Sequence, residues 1–273
     1  MSTVEQRLCN AAEEGRVEEA LQLLRDNPGL NVNWADDVHQ MTALRIAAFR
    51  NLADIVKALL AHPHINVNQK DKYEDTPFLI GCQDGSMSVV RVLLKDPRVN
   101  VTLENGFGCT PLWLAAQRRR NEVVEWLIAS GRDLGDIANQ TGKRSLRGEK
   151  CTTLEIAKQA GNPKIVSVLE RFVINPTQTC YELRVKLGFS DALAIEVFVL
   201  IVFLCDGFLQ LKPSKNTSNH AATRFFTIAQ RLPIELQMIL CHRAMNSAKD
   251  SVLSQDSEVG FKNLARILLS LSE

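Results

Sequence analysis

The chain has 273 residues, enough for one or two domains, and an apolar fraction of 45%, which supports a substantial core and excludes a disordered chain. Its 32 basic and 31 acidic residues leave a formal net charge of +1, so no global field draws it to nucleic acid or to an anionic membrane. Seven cysteines (Cys9, Cys82, Cys109, Cys151, Cys180, Cys205 and Cys241) are dispersed, odd in number and free of any C-x-x-C pair. That usage suits reduced thiols rather than a disulfide framework.

The chain opens MSTVEQRLCNAAEEGR, acidic and without the apolar stretch of a secretory signal, so the expectation is a cytoplasmic or nuclear protein. Internal repetition follows. Thr42-Ala43-Leu44, Thr76-Pro77-Phe78, Thr110-Pro111-Leu112 and Thr152-Thr153-Leu154 each open a helical pattern, at spacings of 34, 34 and 42 residues. Five and six positions after each Thr come small residues: Ala47-Ala48, Gly81-Cys82, Ala115-Ala116, and Ala157 with Lys158. Aliphatic pairs follow at fixed offsets, Ile55-Val56 and Leu59-Leu60 in one unit, Val89-Val90 and Leu93-Leu94 in the next. Val123-Val124 and Leu127-Ile128 repeat the pattern, and Ile165-Val166 with Leu169 continue it. Apolar positions four apart share one helix face, so each unit reads as a first helix with a close-approach surface and a second with an aliphatic one.

A degenerate unit comes first, with Ala11-Ala12, Gly15 and Leu23-Leu24 in register when Gln6 takes the Thr position, which makes five units. Asn31-Val32-Asn33, Asn66-Val67-Asn68 and Asn100-Val101-Thr102 follow the second helices. Pro28, Pro63 and Pro97 stand where those helices must stop. Asp37, Asp71 and Asn105, five residues before each Thr, are placed to accept backbone N–H groups and tighten a hairpin. The insertion before the fifth unit, DIANQTGKRSLRGEK, reads as a solvated loop carrying Lys143, Arg144, Arg147 and Lys150. Trp113 and Trp126 read as packing residues.

Register, triplet and linker together closely resemble the ankyrin repeat family over residues 3 to about 172. The family's His after T-P-L is replaced by Arg45, Leu79, Trp113 and Glu155, which removes a local tying hydrogen bond. Its inter-helix Gly is kept as Gly85 and Gly161 but becomes Asn51 and Arg119 elsewhere. The resemblance implies an all-α solenoid whose concave face, made of hairpin tips and first-helix residues, binds another protein. Carried onto matching positions, that face holds His39 and Met41, Lys72 and Tyr73, and Phe107 at the tips. Phe49, Arg50, Gln83, Asp84, Gln117 and Arg118 form its helix row. Aromatic and arginine side chains of this kind anchor interfaces.

The repeat periodicity stops near Phe172, giving an expected boundary between a repeat domain, 1–174, and a C-terminal α-helical domain, 175–273. Asn175-Pro176 reads as an N-cap and first helical position. Helices are expected at about 176–187, 190–210, 221–231, 233–247 and 256–271. The most apolar run without a charge, residues 197–205, is nine residues long. A membrane span needs roughly 20, so this reads as a core helix. The fifth unit's second helix is apolar on more than one side, through Val166, Phe172, Val173 and Ile174. It is expected to be buried by the C-terminal domain packed on the last repeat. Leu232-Pro233-Ile234-Glu235-Leu236 faintly resembles the start of an F-box, a segment that recruits a ubiquitin-ligase scaffold.

No H-E-x-x-H, G-x-S-x-G or glycine-rich phosphate loop occurs. The expectation is a monomeric scaffold or adaptor for a protein partner. No catalytic residue, no cofactor, no metal, no nucleic acid and no membrane are expected. A substrate-recruiting ubiquitin-ligase adaptor is the alternative.

Overall fold

The computed structural model describes residues 3–143, 148–189, 197–202, 205, 220–229, 231 and 234–244. Its first unit is a stack of five antiparallel helix pairs. The inner helices are α1 (Val4–Glu13), α3 (Ala43–Phe49), α5 (Pro77–Asp84), α7 (Pro111–Gln117) and α9 (Thr153–Gln159). Each is followed by an outer helix: α2 (Val17–Asp26), α4 (Ala53–Leu60), α6 (Met87–Leu94), α8 (Asn121–Ala129) and α10 (Pro163–Ile174). Inner packs on inner and outer on outer along the stack. The small pairs make that approach possible: Ala47, Ala48, Cys82, Ala115, Ala116 and Ala157 have no exposed surface.

Threonine starts every inner helix. The Oγ1 of Thr42, Thr76, Thr110 and Thr152 accepts a backbone N–H three residues on, filling one of the orphan donors of the first turn. In the first unit the cap is Thr3, bonded to the Gln6 N–H, and not Gln6 itself. From that cap α1 extends nearly a turn further back, relative to the repeat register, than its counterparts. Glu155 completes a capping box with Thr152.

The turns between paired helices need a left-handed residue. Gly15, Gly85 and Gly161 supply it without strain, while Asn51 (φ 58°) and Arg119 (φ 61°) do not. Both substitutes use their side chains to reach the next unit. Asn51 Oδ1 accepts the Val89 N–H at 3.3 Å, and Arg119 Nη2 donates to the Gly161 carbonyl at 2.9 Å. At Gly85 a Cβ would lie 2.9 Å from Arg120 Cδ, so a side chain there would have to displace that arginine.

The linker asparagines form a second ladder. Asn33 donates to the His64 carbonyl and accepts the Asn66 N–H, both at 2.7 Å. One unit on, Asn68 donates to the Arg98 carbonyl and accepts the Asn100 N–H. Each linker thereby satisfies backbone groups of its neighbour that would otherwise need water.

The two ends of the insertion before α9 form strands, where a solvated loop is expected. Strands β1 (Thr141–Lys143) and β2 (Lys150–Thr152) pair antiparallel, with Gly142 opposite Cys151. A Cβ at Gly142 would lie 2.8 Å from Cys109 Sγ and 3.1 Å from the Trp113 ring, so this glycine lets the hairpin sit against α7. Arg144 and Arg147 lie outside the described residues. Trp113 is buried and Trp126 partly so, and Trp34 is also partly buried.

The first compact unit runs through Leu183, nine residues past the expected boundary at 174. The start of α11 (Pro176–Lys186) belongs to it. Thr179 and Leu183 are buried, Cys180 Sγ lies 3.8 Å from the Ala129 carbonyl, and Arg171 pairs with Glu182 at 2.8 Å. On α10, Ile165, Val168 and Leu169 are buried. Val173 and Ile174 are 47% and 83% exposed.

The second unit, Arg184–Glu273, has helices at residues 197–202, His220–Ala229 and Ile234–Ala244. Phe198, Ile201, Ala229 and Cys241 form its core, with Phe225, Phe226 and Met238 packed around them. The helix expected at 256–271 lies outside the described residues. No helix among the described residues is long and apolar enough to cross a membrane.

Leu93 on α6 is fully buried at the centre of the outer layer. Leu93→Ala is expected to cost about 2–5 kcal/mol and to loosen the units on both sides, read as a lowered thermal midpoint.

Candidate functional site

The hairpins between units are built on one carboxylate or amide each. Asp71 Oδ1 accepts the N–H of Tyr73 at 2.8 Å and of Asp75 at 3.0 Å. Asn105 Oδ1 accepts the N–H of Phe107 at 3.0 Å and of Cys109 at 3.1 Å. In the first hairpin this acceptor is Asp36, not the expected Asp37. Its two oxygens take the N–H groups of Val38, His39 and Met41. That hairpin holds one more residue between acceptor and threonine, so Asp37 is turned outward and exposed. The tips then join edge to edge. Lys72 N–H donates to the His39 carbonyl, Gly106 N–H to Tyr73, and Lys143 N–H to Phe107, at 3.0 to 3.1 Å.

A chain of side chains connects this row to the inner helices. Arg45 Nε lies 3.0 Å from Asp71 Oδ2, an ion pair whose partners are 15% and 1% exposed. The Arg45 guanidinium also lies 5.9 Å from the centre of the Phe49 ring, and Arg50 flanks that ring at 5.7 Å. Beyond Asp71, Asn105 Nδ2 donates to Asp75 Oδ1 at 3.0 Å. Phe49, Tyr73 and Phe107 are thus linked through Arg45, Asp71, Asp75 and Asn105 across three units. Phe49 and Tyr73 are 47% and 53% exposed, Phe107 is half-buried, and Lys72 stacks on Tyr73 at 5.1 Å.

The missing family histidine is therefore replaced rather than simply lost. Arg45 reaches into the next unit, and Trp113 Nε1 donates to the Cys151 carbonyl at 2.9 Å, again one unit on. Only Leu79 is purely apolar and fully buried there. The role of Arg45 is not legible in its own segment, because the partner that gives it that role lies 26 residues away.

The other expected residues fall around this row. His39, Arg50 and Arg118 are exposed, and Met41, Gln83, Asp84 and Gln117 are half-buried. The Gln83 carbonyl accepts from Arg120 Nε at 3.1 Å. Asp84 Oδ2 is buried and has no hydrogen-bond partner among the described residues. Burial pushes its pKa up, and the charges of Arg120, Arg118 and Arg45 only partly oppose that. Burial also raises Asp75, against the Asn105 hydrogen bond.

The model of ankyrin repeats in three copies matches residues 61–138 and 78–179, and the single ankyrin repeat model matches 39–72. Together they span just over half of the chain, which belongs to the ankyrin repeat family. The pair α1–α2 lies before the matched residues, yet it carries the same threonine cap, small pair and left-handed glycine. No curated protein matches the chain.

A carboxylate whose folded pKa is raised costs stability while it is ionised. The cost disappears as pH falls and the native state binds the proton first. Asp84→Asn should therefore melt above the wild type at pH 7. The gap should shrink on acidification and close below the ordinary carboxylate value of 3.8. Paired melts across that range read it directly.

Proposed function

We infer that the role of this chain, built of ankyrin repeats, is protein–protein interaction. We propose that it acts as a non-catalytic scaffold or adaptor in the cytoplasm or nucleus. In this reading one partner is held along the face formed by the hairpin tips and the inner-helix ends. The observation that carries it is the row of Phe49, Tyr73 and Phe107, each presented by a different unit and joined to the next through the Arg45–Asp71 pair and the Asn105–Asp75 hydrogen bond. Large aromatic rings on a rigid frame lose little entropy when they bind, which is why they dominate interface energetics. Exposed rings already stacked by cations also keep those cations in place for a partner.

The alternative, a ubiquitin-ligase adaptor, rests on residues 232–236. Ile234–Ala244 is helical, while Leu232 and Pro233 lie outside the described residues. The face favours the scaffold reading, because it needs no second recruiting segment.

A photo-crosslinking phenylalanine analogue in place of Tyr73 should capture a partner protein, and one in place of Lys57 on α4 should not. Joint replacement of Phe49, Tyr73 and Phe107 by alanine should reduce capture by roughly tenfold or more, since hot-spot truncations each cost about 2 kcal/mol. Helical circular dichroism should remain unchanged. Equal capture from both positions would remove the face from consideration.

A further inference from the structure

Asn105-Gly106 is the only Asn-Gly pair in the sequence, and it stands in the hairpin that leads into the fourth unit. Such a pair has a chemistry of its own. Glycine has no Cβ to shield its nitrogen, so that nitrogen can reach the side-chain amide carbon of the asparagine before it. The corresponding acceptors of the two earlier hairpins are Asp36 and Asp71, so of the three only Asn105 carries an amide that can leave as ammonia. In the folded chain both reacting groups are held. Gly106 N–H donates to the Tyr73 carbonyl at 3.1 Å. Asn105 Nδ2 donates to Asp75 Oδ1 at 3.0 Å, while its Oδ1 accepts the N–H groups of Phe107 and Cys109. The bonds to Tyr73 and Asp75 join the third hairpin to the fourth. A Cβ on Gly106 would lie 3.3 Å from the Tyr73 carbonyl oxygen, so the two tips are in close contact.

We infer that Asn105 is a site of hydrolytic deamidation gated by this joint, closed while Gly106 is bonded to Tyr73 and open when the two tips part. Water is the only co-reactant. Gly106 N bonds to Asn105 Cγ, and its proton passes through water to Nδ2. The Cγ–Nδ2 bond breaks and Nδ2 leaves as ammonia, which closes a five-membered succinimide. Water then opens either carbonyl of that ring, giving aspartate or isoaspartate at position 105, and no atom is oxidised or reduced. The gate follows from where the nucleophile points. Gly106 N must shed its proton to attack, and beside Tyr73 the resulting negative charge would face the partial negative charge of a carbonyl oxygen. The electrophile is not what is withheld, because the Phe107 and Cys109 N–H groups would stabilise charge building on Oδ1.

The product cannot close the joint as the amide did. A carboxylate at position 105 has no N–H to donate, and it would stand where Nδ2 now lies 3.0 Å from Asp75 Oδ1. Asp71 and Asp84 add to the repulsion felt by Asp75, and Arg45 opposes it. A passing separation of the third and fourth tips is thereby made lasting. The inference does not depend on what the face binds, although this tip carries Phe107.

The test incubates the intact chain at mildly alkaline pH, folded and in urea, and follows position 105 by peptide mapping and by enzymatic methylation of isoaspartate. Conversion in urea should outpace the folded chain by roughly tenfold or more, because only the open fraction reacts. That ratio needs no variant. Asp75→Ala, which cuts one of the two bonds of the joint, should speed conversion of the folded chain by roughly threefold or more at unchanged circular dichroism. Asn105→Asp should melt below the wild type at neutral pH. Combining it with Asp75→Asn exchanges donor and acceptor and should recover most of the loss. Equal rates folded and in urea, or no conversion in urea, overturn the inference. So does a folded Asp75→Ala chain that converts no faster than the wild type, since the joint would then not be the gate. Asn105→Asp melting with the wild type would refute the lasting effect on the joint.

Discussion

Arg45 crosses the boundary between the second and third units and sets its Nε 3.0 Å from Asp71 Oδ2, in a place almost closed to water. Neither partner can be removed cheaply: a buried charge left alone costs about 3–5 kcal/mol. Asp71 is at the same time the residue that folds its hairpin, through the N–H groups of Tyr73 and Asp75. One carboxylate thus fixes both the shape of a tip and its position against the preceding inner helix. The placement of Tyr73, and through Asp75 and Asn105 that of Phe107, follows from it. Phe49 is held from the other side by the same guanidinium.

The same exchange recurs along the stack. Where the family has a local histidine bond, this chain has Arg45 and Trp113 bonding the next unit. Where the family has glycine between helices, Asn51 and Arg119 accept a left-handed backbone and spend their side chains on the next unit. A non-glycine residue in that region carries a strain of order 1–3 kcal/mol, which the inter-unit bond offsets. Local bonds stabilise a unit, and inter-unit bonds stabilise the stack. In a repeat protein the second kind sets cooperativity, because each unit contacts only its neighbours. A face drawn from three units needs that coupling to present its rings in fixed register.

The helix pairs were legible because their determinants are local. Threonine caps, small pairs five residues on and aliphatic pairs further along recur at 34-residue spacing, and each acts within a few residues. The positions proposed for the binding face follow from the same repeat register. What escaped depends on distant partners. Arg45 carries no sign of Asp71 in its own neighbourhood. Asp36 rather than Asp37 serves the first hairpin, because one added residue shifts the acceptor. Gly142 belongs to a strand since Cys109 and Trp113 leave room only for a hydrogen there, a contact 29 to 33 residues away. The start of α11 joins the repeats through Thr179 and Leu183, although the repeat pattern has ended by then.

The central claim is that the Arg45–Asp71 pair holds the hairpin that presents Tyr73. Amide hydrogen exchange on Arg45→Leu, compared with the wild type, addresses it at single residues. The account predicts faster exchange at the Tyr73 and Asp75 amides, whose acceptor loses its anchor, with protection at Val89 and Val90 on α6 retained. Unchanged exchange at Tyr73 and Asp75 would contradict it, and would mean that the hairpin keeps its shape without the inter-unit pair.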